Sequence, residues 1–148
     1  MTFSCFKSIV TILILFFSLT IFSQKTWLDK DWNQTTQGNA TFYRDSPQKI
    51  GDLYEIIQHY KSGSISMKGF SKSRFPEGDN FEGLVKIYYE TGEIKEERFY
   101  LNGKREDVWK TYHKSGKINT KGKYRDGEKV GVWKTFYKNV YEDFYNLK

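Results

Sequence analysis

The sequence predicts an all-β protein: an elongated antiparallel meander of repeated 24-residue β-hairpins with an N-terminal capping segment. The first sign is internal repetition. Gly83-Leu84-Val85-Lys86-Ile87-Tyr88-Tyr89-Glu90-Thr91-Gly92-Glu93-Ile94 returns 24 positions later as Asp107-Val108-Trp109-Lys110-Thr111-Tyr112-His113-Lys114-Ser115-Gly116-Lys117-Ile118. A third copy, Gly131-Val132-Trp133-Lys134-Thr135-Phe136-Tyr137-Lys138, begins another 24 on. The second sign is turn chemistry. Asn102-Gly103 and Asp126-Gly127, in step with the repeat, favour the positive φ angles of a two-residue hairpin turn. The third is vocabulary. From Gln24 onward, 22 aromatic residues stand against 17 Leu, Ile and Val, which suits pleated, half-buried strands better than helices.

The N-terminus reads as an export signal. Lys7 supplies a short basic region, and Ile9 to Phe22 is an uncharged apolar run of 14 residues, short for a membrane span. Cleavage is expected after Ser23, giving a signal peptide over 1–23 and a periplasmic, cell-envelope or secreted mature chain. That chain loses Cys5, the only cysteine, so disulfides are not expected to staple it. One cysteine and two histidines also leave no basis for a multi-ligand zinc site.

Residues 24–53 do not repeat. Trp27, Trp32, Phe42 and Tyr43 lie there among polar residues, and the segment is expected to cap the open end of the sheet. The repeat array is expected over 54–140. Its earliest copy, Ile56-Ile57-Gln58-His59-Tyr60-Lys61-Ser62-Gly63-Ser64-Ile65, is displaced by five extra residues, which are placed in a loop over Ser71 to Glu82. Each unit should hold two antiparallel strands, and the units must stack because one hairpin is marginal in water. Residues 141–148 are expected to form a short C-terminal cap. Strand alternation places Val85, Trp109 and Trp133 on one face with Ile87, Thr111 and Thr135. Lys86, Lys110 and Lys134 fall on the other with Tyr88, Tyr112 and Phe136.

Trp109-Lys110-Thr111-Tyr112, Ser115-Gly116-Lys117-Ile118, Gly122-Lys123-Tyr124-Arg125-Asp126-Gly127 and Gly131-Val132-Trp133 together resemble the variant MORN (membrane occupation and recognition nexus) repeat. The resemblance covers roughly 54–140, with Ile56 where later copies carry Val or Trp. It implies strung β-hairpins and binding rather than catalysis. Bacterial proteins carrying the variant are often labelled antitoxin-like, so it also implies an antitoxin- or immunity-like role.

The residues themselves give no enzyme pattern. His59 and His113 stand where other copies carry aromatic residues. Glu96-Glu97 are neighbours on an expected strand, so they point to opposite faces and cannot work together across one bond. No phosphate loop appears, and no cofactor, metal or nucleic acid is expected as a ligand. Charge is the informative signal. The chain carries a net +6, and Asn102 to Lys148 alone is net +6, whereas Gln24 to Leu101 is net −1. The candidate site is therefore the basic, aromatic-laced face of Lys86, Tyr88, Lys110, Tyr112, Lys134 and Phe136, with a protein partner as the expected ligand and an anionic membrane surface or glycan as the alternative.

Overall fold

The computed structural model describes residues 25–75 and 80–137. Among them lie ten strands and no helix: β1 (Thr26–Leu28), β2 (Phe42–Arg44), β3 (Gln48–Ile50), β4 (Leu53–Tyr60), β5 (Ile65–Ser71), β6 (Phe81–Tyr88), β7 (Ile94–Leu101), β8 (Lys104–Tyr112), β9 (Ile118–Arg125) and β10 (Glu128–Thr135). All ten join one antiparallel sheet in the order β1-β2-β4-β5-β6-β7-β8-β9-β10, with β3 pairing on β4 beside β2. The expected signal peptide (1–23) and C-terminal cap (141–148) lie outside the described residues.

From β4 onward every strand pairs with its neighbour in sequence, and every connection except the longer β5–β6 loop is a tight turn with repeating chemistry. Tyr60, Tyr89 and His113 each donate a backbone N–H to the carbonyl four residues on (Ser64, Glu93, Lys117; 2.8–2.9 Å), and each accepts from the glycine three residues on. Those glycines, Gly63, Gly92 and Gly116, sit at φ 100°, 102° and 79°, a region that side chains with a Cβ rarely enter. Between units, Asn102-Gly103 (φ 51°, 74°) and Asp126-Gly127 (φ 52°, 92°) have the paired positive angles expected of a type I′ turn.

Each unit opens on a wide irregularity in the ladder. Lys68 pairs Lys86 and Phe70 pairs Glu82, so Gly69 alone faces Gly83-Leu84-Val85. Arg98 faces Asp107-Val108-Trp109 in the same way, and Gly122 faces Gly131-Val132-Trp133. Gly83, Asp107 and Gly131, the first residue of each triplet, have φ of 73°, 53° and 64°. Two extra residues on the bulged strand preserve the side-chain alternation, so the lysines remain on one face through every unit.

The opposite face holds the core. Ile56, Met67, Phe81, Val85, Ile87 and Tyr100 are buried against one another, and Trp32, Tyr54 and Trp109 pack on them. The core continues as a row of rings. Centroid separations are 5.6 Å for Phe81–Tyr100, 5.5 Å for Tyr100–Trp109, 4.5 Å for Trp109–Tyr124 and 5.2 Å for Tyr124–Trp133. Each such pair is worth about 0.5–1.5 kcal/mol beyond the area it buries. Cations cover the row: Arg98 and Arg105 each lie 5.3 Å from the Trp109 centroid, and Lys129 lies 4.4 Å from that of Trp133.

The non-repeating N-terminal segment adds β1, β2 and β3 to the same sheet, and its Leu28 and Ala40 are buried. The β5–β6 loop is shorter than the span Ser71 to Glu82. Ser71 ends β5 fully buried, and its hydroxyl donates to the Asn80 carbonyl at 2.7 Å. Phe81 and Glu82 belong to β6, because Phe81 packs on Tyr100 and Glu82 Oε2 accepts the Asn102 N–H at 3.0 Å.

Candidate functional site

Antiparallel pairing aligns one residue from each of six successive strands. The chain of direct partners runs Lys68, Lys86, Glu97, Lys110, Lys121, Lys134, from β5 to β10. Direct partners share a face, so five lysines and one glutamate form a single row, ~24 Å long at the usual strand spacing. Lys86, Lys110 and Lys134 are in it. Lys68, Glu97 and Lys121 fill the strands between, and they too are equivalent positions of the repeat frame. Reading only the first strand of each unit misses Lys68 and Glu97, although the frame itself points to them.

Glu97 organises the middle of the row. Its carboxylate lies 4.0 Å from Lys86 Nζ, accepts from Lys110 Nζ at 3.4 Å and accepts from the Tyr112 hydroxyl at 2.7 Å. Burial works to raise the Glu97 carboxyl. The hydrogen bonds from Tyr112 and Lys110 and the charges of Lys110 and Lys86 outweigh it, so the group ends below its usual range. Burial, then the hydrogen bond to Glu97 and its charge, push the Tyr112 phenol up to about 12. Lys86 and Lys110 are thus half-buried and held beside Glu97, whereas Lys68, Lys121 and Lys134 are exposed.

Apolar side chains stand beside the lysines. Leu84, two residues before Lys86, is 46% exposed and pairs with Phe99 of β7. Val132, beside Lys134, is 78% exposed and Phe136 43%. A linear cationic row flanked by open apolar groups can hold an extended acidic surface and shed water from its margins.

Several other polar groups stitch the units together. Tyr60 donates its hydroxyl to the Tyr88 carbonyl at 2.7 Å, and Tyr89 donates to the Tyr112 carbonyl at 2.8 Å. His113 Nε2 lies 3.2 Å from the Phe136 carbonyl in the next copy of that contact. The Tyr88, Tyr112 and Phe136 backbones therefore serve the seams between units. A second series caps the turns: the carboxylate of Glu82 accepts from the Asn102 N–H, and that of Glu106 from the Asp126 N–H. His59 stacks on Tyr43 at 4.8 Å and lies 3.5 Å from Asp45. Glu96 pairs with Arg98 at 2.7 Å on the aromatic face, opposite Glu97, so the two adjacent carboxylates are separated by the sheet.

Against known proteins, the family model described as MORN repeat variant matches residues 81–104 and 108–126. These segments hold β6, β7, most of β8 and β9, the middle of the lysine row included. No curated protein and no solved structure matches the chain.

Proposed function

We propose that this chain is an exported, non-enzymatic binding module that grips an acidic protein surface with its lysine row, a reading supported by the match of the sheet's centre to the MORN repeat variant, a protein- or membrane-lipid-binding type of repeat. The observation that carries the reading is the row itself, five lysines in register across six strands with exposed apolar residues alongside. The basic and apolar N-terminal pattern before Gln24 supports export to the periplasm, cell envelope or medium. Within that class the repeat variant suggests an antitoxin- or immunity-like role, in which the module occupies and silences one partner.

Lys121→Glu with Lys134→Glu is the informative pair. Both side chains are exposed and both sit on the row, whereas Lys110 is held by Glu97, so reversing it disturbs the fold as well as the surface. Affinity capture of the wild type from the envelope fraction should return one stoichiometric protein, released by raised salt and lost in the double variant. Capture unchanged by charge reversal overturns the assignment of the row. Leu84 and Val132 beside the lysines favour a second reading, contact with anionic lipid headgroups. It predicts salt-sensitive flotation with anionic vesicles, and the absence of flotation removes it.

A further inference from the structure

A second candidate site lies beyond the lysine row, where the N-terminal strands meet the start of the β5–β6 loop. Arg44 of β2 is only 9% exposed. Its Nε donates to Gln58 Oε1 at 3.0 Å, and its guanidinium lies 5.8 Å from the Trp32 ring centroid. Among the described residues no carboxylate is ion-paired with it. Burial alone lowers it to about 10. A buried arginine without an acid is an expensive arrangement, and with Nε committed to Gln58 the two terminal Nη groups are the donors left to offer.

Arg44 lines a cavity of about 630 Å³, with Leu28, Trp32 and Phe75 as apolar wall and Arg74 as a second cation. That volume is typical of a small-molecule site. Trp32 is held there under strain, at φ 69°. Positive φ is a real outlier for a bulky residue and persists only where the surroundings enforce it. Here the Asp29 carbonyl accepts the Trp32 N–H at 3.2 Å, and Asp29 Oδ1 accepts the N–H groups of Asp31 and Asn33 at 2.8 and 3.0 Å. The turn thus presents the indole as a fixed wall. Phe75 is 58% exposed. Two acids also line the cavity: Asp31, which pairs with Lys30 at 2.7 Å, and Asp45, whose carboxylate lies 3.5 Å from His59 Nε2. Their charge opposes a dianion and leaves room for a monoanion.

We propose that this cavity binds a monocarboxylate with an apolar body, the carboxylate taken end-on by the Arg44 Nη pair and the apolar part set against Trp32 and Phe75. The C-terminus of a peptide and a free organic acid present the same chemistry.

Titration calorimetry of the purified full chain with N-acetyl-phenylalanine, its C-terminal amide and inorganic phosphate separates the possibilities. The free acid should bind roughly tenfold or more tightly than the amide, and phosphate should not displace it. Arg44→Lys keeps a buried charge but loses the paired donors and should weaken the acid roughly tenfold. Arg74→Gln, at an exposed position, should weaken it about two- to fivefold with the melting temperature unchanged, which keeps the test sharp if Arg44→Lys fails to fold. A tripeptide ending in phenylalanine adds one arm. Tighter binding than the single residue points to a chain terminus, and weaker binding to a small acid. Equal affinity for acid and amide, tighter binding of phosphate, or no binding by the wild type overturns the proposal.

Discussion

Replacing Gly122 with alanine probes how the aromatic row is seated. A Cβ built at Gly122 would lie 2.1, 2.3 and 2.7 Å from Cδ2, Cε2 and Cε3 of Trp133. Carbon atoms rest about 3.5–4.0 Å apart, so the indole must retreat by roughly 1.5 Å. Tyr124 at 5.2 Å and Lys129 at 4.4 Å confine that ring. Overpacking of this kind costs about 1–3 kcal/mol. The Gly122 backbone is not in the positive-φ region, so alanine recovers about 0.5–1 kcal/mol by restricting the unfolded chain. The expected net loss is about 1–2 kcal/mol in urea unfolding, with a changed near-ultraviolet circular dichroism spectrum. The middle unit provides the contrast. Arg98 occupies the equivalent position, and Trp109 beside it donates Nε1 to the Phe99 carbonyl at 3.1 Å, whereas Trp133 Nε1 is buried without a partner among the described residues. In a Trp133→Val background the cost of Gly122→Ala should vanish. A loss below about 0.5 kcal/mol with an unchanged spectrum, or the same loss in the valine background, refutes the reasoning.

Gly69→Ala should cost about 2 kcal/mol in the same unfolding assay, because its Cβ would meet Cγ2 of the fully buried Val85 at 2.8 Å. Glu97→Gln should destabilise by about 1 kcal/mol at neutral pH, since it leaves Lys86 and Lys110 without their shared anion. In that variant the Tyr112 phenol should titrate nearer its usual value of 10, read by ultraviolet absorbance. The wild-type pH response has two signs. The fold favours the neutral phenol of Tyr112, so that contribution is complete below pH 10 and is lost between 10 and about 12. The Glu97 carboxyl is depressed, so its contribution is complete above the ordinary carboxylate range and is lost as pH falls through the lowered value. Tyr89→Phe should cost about 1 kcal/mol by removing the hydroxyl that joins the β6–β7 turn to the Tyr112 carbonyl of the next unit.

Much of the architecture is legible because it is written three times. The 24-residue spacing, the turn glycines and the alternation of Trp109-Lys110-Thr111-Tyr112 place the hairpins and sort their two faces. The same frame carries Lys68, Glu97 and Lys121 on the second strands, and following both strands of each unit recovers the whole row.

The N-terminal site was not legible in this way. Arg44 and Gln58 are 14 residues apart, Trp32 and Phe75 are further separated, and Arg44 and Trp32 stand outside the repeat frame. Local spacing determined the strands, the turns and the side each residue faces, because a period of two and a glycine at positive φ act over a few bonds. Only the tertiary structure decided that one glutamate neutralises the middle of the lysine row, that Gly122 lies beneath an indole, and that Arg44 is buried beside a cavity. Those depend on which strand edge meets which, and contacts between distant segments are set by packing the whole sheet at once.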